Sequence, residues 1–197
     1  MMPAVRTVAA VVLAAIVLYA MQRTTPGYSD ITAPIVVSGT QGTKVQASAF
    51  AFDVKTVRTA RELRTDSFGK TKTFSTSGVW IVVEAEAEAM FESLGLTTAE
   101  WQVANGIRYA LTQRLPASVG GLLPAEMLEP GLPRPVLLAF EAPETALAGG
   151  TLIVARTKFL PLDDEIHVAA SNIAPDSIEP AITIRRNEEG PAWKLLP

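Results

Sequence analysis

The eleven residues VWIVVEAEAEA, from Val79 to Ala89, alternate so strictly that an extended strand accounts for all of them. Val79, Ile81 and Val83 run at period two into Ala85, Ala87 and Ala89, while Trp80 and Val82 open the row that Glu84, Glu86 and Glu88 continue. In isolation Ala and Glu favour helix. A helix would set Glu86 nearly opposite Glu84 and Glu88 and break both rows, so the period of two decides for a strand. One row is then buried, and three carboxylates line the other at intervals of roughly 7 Å.

The rest of the chain repeats the pattern in shorter pieces. Phe50, Phe52 and Val54 alternate with Asp53 and Lys55, which predicts a half-buried strand. Its continuation is basic, with Lys55, Arg58, Arg61, Arg64, Lys70 and Lys72 opposed by Glu62 and Asp66, as expected of a solvated hairpin. Asn105-Gly106 separates Trp101 and Val103 from Ile107, Tyr109 and Leu111, a strong hairpin signal. Further strands are expected at 136–141, 151–156, 165–170 and 181–186. Between residues 116 and 135 five prolines forbid a regular ladder, although a helical turn fits 125–128. Seven or eight short strands so punctuated predict an all-β, antiparallel sandwich with a single core over residues 47–197.

The apolar fraction of 48% and mean hydropathy of +0.25 exceed what one such core needs. The excess lies at the start. From Thr7 to Gln22 there is no charge, a helix of about 24 Å that flanking residues and snorkelling Arg6 and Arg23 extend to membrane thickness. Tyr19 suits the interface. A cleaved signal peptide needs a small residue at minus three, where cleavage after Ala20 would put Leu18, so an uncleaved signal anchor over residues 1–23 is the better reading. The slight basic excess before the helix predicts a cytoplasmic N-terminus and an extracytoplasmic domain. Residues 24–46, rich in Thr, Ser, Gly and Pro, read as a flexible linker, with 35–37 fit for a short edge strand.

Setting aside Arg6 and Arg23 leaves 15 of the 17 Lys and Arg against 20 Asp and Glu. A net charge near −5 argues against nucleic-acid binding. Cysteine is absent, which excludes disulfides, thiolate metal sites and a cysteine nucleophile. The preference for Arg, Ala and Pro over Lys and Asn suggests a bacterial source.

Gly78-Val79-Trp80-Ile81-Val82-Val83, Asn105-Gly106-Ile107-Arg108-Tyr109, and Glu129-Pro130-Gly131 before the strand ending at Pro143 resemble the telokin-like, immunoglobulin-like sandwich domains of unknown function found on bacterial lipoproteins and membrane-anchored proteins. The likeness covers roughly residues 45–156. It implies the fold, a cell-envelope location and no known catalytic residues; the segment after Lys158 departs from the pattern.

No catalytic, cofactor-binding or metal-binding residue is assigned. His167, the chain's one histidine, follows Asp163, Asp164 and Glu165, but Ile166 and Val168 flank it at period two and place it on the wet side of a strand. There is no G-x-S-x-G elbow, phosphate loop or dinucleotide fingerprint. Three carboxylates along one straight strand cannot cage calcium, which needs oxygens at about 2.3–2.6 Å. Cross-strand pairing with Lys55, Arg58 or Arg61 is the better use for Glu84, Glu86 and Glu88. The inward alanines imply a close neighbour such as Trp101 or Tyr109.

The expectation is a membrane-anchored, non-catalytic sandwich that binds another envelope protein. Its candidate partner surface comprises Glu84, Glu86, Glu88 and the proline-loop residues Leu122, Leu123, Met127 and Leu128. The alternative is a small-ligand or divalent-metal protein using the glutamate row or residues 163–167.

Overall fold

The structure, a computed structural model, describes every residue except Met1, Pro26, residues 28–30, 68–69, Ala117, Phe159, Asn172, residues 174–176 and 188–192, and the side chains of residues 2–4 and 67. It divides into two compact units, Met1–Ala33 and Pro34–Pro197.

The first unit is essentially the helix α1 (Met2–Thr24). At 23 residues it is about 34 Å long, enough to cross a hydrocarbon core, and no part of its apolar span is covered by protein. Arg23 is in the last turn, where the helix dipole favours a cation, and its Nη2–H donates to Tyr19 Oη at 2.9 Å. Hydroxyls of Thr24 and Thr25 both donate to the Met21 carbonyl and close the helix end.

The second unit is a β-sandwich. Its strands are β1 (Ile35–Thr40), β2 (Val45–Gln46), β3 (Phe50–Ser67), β4 (Lys70–Ala89), β5 (Leu94–Gly95), β6 (Thr98–Gln102), β7 (Arg108–Ala110), β8 (Met127–Leu128), β9 (Arg134–Ala142), β10 (Thr151–Ala155), β11 (Asp164–Ala169), β12 (Ile178–Arg186) and β13 (Trp193–Leu196). One sheet runs β1-β11-β10-β6-β7; the other runs β13-β12-β3-β4-β9, with β2 on the start of β3. β5 and β8 pair separately.

Every strand expected from alternation is present, and the all-β sandwich stands. The ladders are not purely antiparallel, however: β1 lies parallel to β11 and β12 parallel to β3. Residues 35–40 and 45–46, within the stretch read as a linker, are strands β1 and β2 of the sheets. The expected turn at 125–128 forms two residues earlier, as a 3-10 turn at Leu123–Ala125, and Met127–Leu128 is extended. At the hairpin tip, Gly106 has φ +85°, a value that Asn-Gly turns favour.

Both rows of β4 have the expected faces. Val79, Ile81, Val83, Ala85, Ala87 and Ala89 point between the sheets, into a core with Phe50, Phe52, Trp101, Phe140, Leu152 and Ile166. The smallness of the alanines has a local cause: Ala87 and Ala89 lie directly opposite Phe52 and Phe50 on β3, and small-against-large pairing keeps the layer level. Trp80 and Val82, on the outward row, are fully buried too. They belong to a second apolar cluster on the far side of the β3–β4 sheet, with Leu63, Phe74, Leu137, Ile182 and Trp193, roofed by Leu115 and Val119 of the proline loop.

Candidate functional site

The glutamate row starts where that second cluster ends. Thr56 Oγ1–H donates to Glu84 Oε2 at 2.7 Å, and the Trp193 indole N–H donates to its other oxygen at 3.1 Å. Glu86 lies opposite Asp53, a like-charge pair, and Lys55 bridges them at 3.0 Å and 2.6 Å. The register shift between Val54 and Thr56 leaves Lys55 without a partner of its own on β4. The hydrogen bonds it donates to Asp53 and then to Glu86 hold the Lys55 ammonium above its ordinary pKa, so it stays charged. Glu88 pairs with Lys44, the residue just before β2.

Of the three cations expected to meet the row, only Lys55 does so directly. Arg58 forks onto Glu179 of β12 at 2.7 and 2.5 Å, and that hydrogen bonding raises its pKa. Arg61 pairs with Glu144. Each carboxylate of the row thus has a protein partner, and the row is a cross-strand ladder. Lys55→Glu would put three carboxylates together; we expect a loss of about 1 kcal/mol that shrinks in high salt, measured by urea unfolding. Unchanged stability would refute the bridge.

A second polar group occupies the outer face of the other sheet. Glu100, only 5% exposed, accepts from Lys158 at 2.6 Å and Arg108 at 3.1 Å. Burial pushes the Glu100 carboxyl up, but Lys158 and Arg108 together outweigh it and leave it below the ordinary glutamate range. A depressed folded pKa means that its stabilisation is complete above the unfolded value, about 4.3, and is lost as pH falls through the lower folded one. Unfolding titrations should show an acid-side loss below about pH 4.3 that Glu100→Gln diminishes; identical acid limbs would refute the assignment.

His167 sits on the same outer face, with Nε2 2.5 Å from Glu165 Oε1, and Arg108 is 3.7 Å from that carboxylate. Ser38 lies beside His167 in register, yet no hydrogen bond joins them among the described residues, as nucleophile activation would need. The acidic run before His167 diverges. Asp163 pairs with Arg156 at 2.6 Å. Asp164 turns inward, where it accepts from the Ala49 N–H at 2.8 Å and the Ser48 hydroxyl. Among the described residues no three Asp, Glu or His side chains gather to hold a metal ion.

The proline loop divides the expected partner residues. Leu123 and Leu128 are fully buried in the main core, which corrects their place on a contact surface: the loop spends them on closing the sandwich. Met127 is 55% exposed, and Leu122 is half-buried. Leu122 borders a cavity of about 250 Å³ between the loop and β9, lined also by Leu111, Leu115, Pro124, Leu137 and Ala139. Sequence reasoning missed this groove because spacing marks 136–141 as a strand without showing that Leu137 and Ala139 meet the proline loop.

No protein-family model matches the sequence, and no curated protein matches it significantly. Among solved structures, the yjhA protein from Bacillus subtilis is similar at 16% identity, a TM-score of 0.50, and coverage of 67% of this chain and 99% of that one. An uncharacterised β-sandwich protein from Clostridium difficile is 13% identical, with a TM-score of 0.46 over 74% of this chain and 99% of its own. A secreted protein from Mycobacterium tuberculosis is 16% identical, with a TM-score of 0.45, 69% of this chain and 97% of that one. At such identities the likeness to the Bacillus protein supports the sandwich fold alone.

Proposed function

We propose that this chain is a bacterial envelope protein of the telokin-like kind, tethered by α1 with its N-terminus in the cytoplasm, whose extracytoplasmic sandwich binds another envelope protein as a non-catalytic module or accessory subunit. The observation that carries the reading is α1 itself, an apolar helix long enough to span a bilayer and uncovered by protein along its length. Among the described residues, the charged side chains of both outer faces are largely engaged with one another, which leaves apolar surface as the more available contact. The groove beside Leu122 is sized for an apolar side chain of the partner.

A photocrosslinking residue in place of Leu122, in the full chain in native membranes, should give one discrete adduct that Pro124→Arg on the groove rim abolishes. No adduct, or one indifferent to Pro124→Arg, would overturn the partner reading. Extraction of the chain from membranes by alkaline carbonate would overturn the tether.

A further inference from the structure

The end of the sandwich at which the chain enters β1 is marked by a run of hydrogen bonds between loops. The Ile35 N–H donates to Asp163 O at 2.9 Å; Asp164 accepts from Ala49; the Met90 N–H donates to Ala49 O at 3.0 Å; and the Gly131 N–H donates to Ala89 O at 3.4 Å. The loops so tied together carry large apolar side chains pointing into solvent. Phe91 is 82% exposed, Leu132 64% and Leu162 56%. Each is the immediate neighbour of one of the bonded positions.

Leu162 adds a separate sign. Its φ of +56° is the left-handed conformation that turns ordinarily give to glycine or asparagine, so a leucine there is held outward at a conformational cost. At the opposite end the Asn105-Gly106 turn exposes a single large apolar side chain, Ile107 at 52%. Chain length supplies the last constraint. Residues 25–34 separate the end of α1 from Ile35, and even fully extended they reach at most about 40 Å.

From this we infer that the entry end of the sandwich docks on the lipid bilayer surface, with Phe91, Leu132 and Leu162 in the headgroup region. The inference rests on the reading of α1 as a membrane anchor. Loop tips carrying an aromatic and two leucines match the interfacial zone, where apolar side chains enter about 5–10 Å while the backbone stays hydrated. A partner protein would be expected to cover a sheet face or an edge; three separate loop tips at the membrane-proximal end of a short tether suit a fluid surface.

Because the chain has no cysteine, single Cys variants can be labelled cleanly. The full chain is reconstituted into phosphatidylcholine vesicles with or without brominated acyl chains. An environment-sensitive fluorophore is attached at Phe91→Cys, Leu132→Cys or Leu162→Cys, at Leu13→Cys in α1, or at Asn105→Cys. Docking predicts that labels at 91, 132 and 162 shift to the blue and lose emission to brominated lipid, while the label at 105 does neither. If position 13 is quenched and the three loops behave as position 105, docking is overturned and the anchor stands. Quenching at the loops without quenching at 13 upholds docking and overturns the anchor; no quenching anywhere overturns both.

Discussion

Replacing Trp101 by Ala should cost the sandwich about 3–5 kcal/mol, a large part of the 5–15 kcal/mol that holds a typical domain. Its ring is fully buried between the sheets, 6.2 Å from Phe140, and its indole N–H donates to the Ala146 carbonyl at 2.9 Å. Truncation leaves a cavity between two rigid layers and an acceptor without its donor. For a unit of this size the melting temperature should drop by roughly 10 °C or more. Trp101→Phe separates the two effects, since it fills most of the space and forfeits only the hydrogen bond, about 1–3 kcal/mol. A near-native melting temperature for Trp101→Ala would mean that the sheets do not close on this residue.

The second large effect is expected at Gly121. Its φ is +78°, and an added Cβ would lie 1.7 Å from Cζ3 of Trp193. Gly121 cannot move aside, because its N–H donates to Glu126 Oε1 at 3.1 Å and its carbonyl accepts from the Leu137 N–H at 2.7 Å. Gly121→Ala therefore displaces the tryptophan from the edge of the second cluster, where Leu115 and Val119 remain over Trp80, and removes one of the two hydrogen bonds on Glu84. Backbone strain of about 1–2 kcal/mol and the lost aromatic burial of about 1.5–3 kcal/mol add to roughly 2.5–5 kcal/mol. Tryptophan emission should shift to the red, since Trp80 and Trp101 stay buried and only Trp193 becomes wet. In a Trp193→Phe background that shift should vanish. Unshifted emission with wild-type stability would show that Trp193 does not lean on Gly121.

How far the sequence discloses this molecule depends on how local each signal is. The rows of β4, the Asn-Gly hairpin and the strands from β9 to β12 are written in spacing, and spacing survives folding. β1 was legible only as a possible edge, because its outward residues face solvent and its only described sheet neighbour, β11, is distant in sequence. The roofed cluster was hidden for a related reason. Trp80 and Val82 look like the start of a wet face until Leu115, Val119 and Trp193 arrive from distant segments to cover them. In the glutamate row, Lys55 could be named because it lies on the adjacent strand of a hairpin. Lys44 and Trp193, which meet Glu88 and Glu84, come from a stretch read as linker and from the chain end. Leu123 and Leu128 were ambiguous for the opposite reason: a proline-rich loop resembles exposed surface, and only its path over the open sandwich shows that it supplies core.

The parallel pairing of β1 with β11 has a consequence for biogenesis. Ile35 emerges early from any ribosome or translocation channel, but its partner Asp164 emerges only when most of the domain has followed. Until then β1 has no ladder to join, and β3 likewise waits for β12 to complete its sheet. Contacts this remote in sequence slow folding and leave apolar strands unpaired in transit. A chain of this design gains from a holdase or a membrane surface near the exit site that shields its first strands until the last ones arrive.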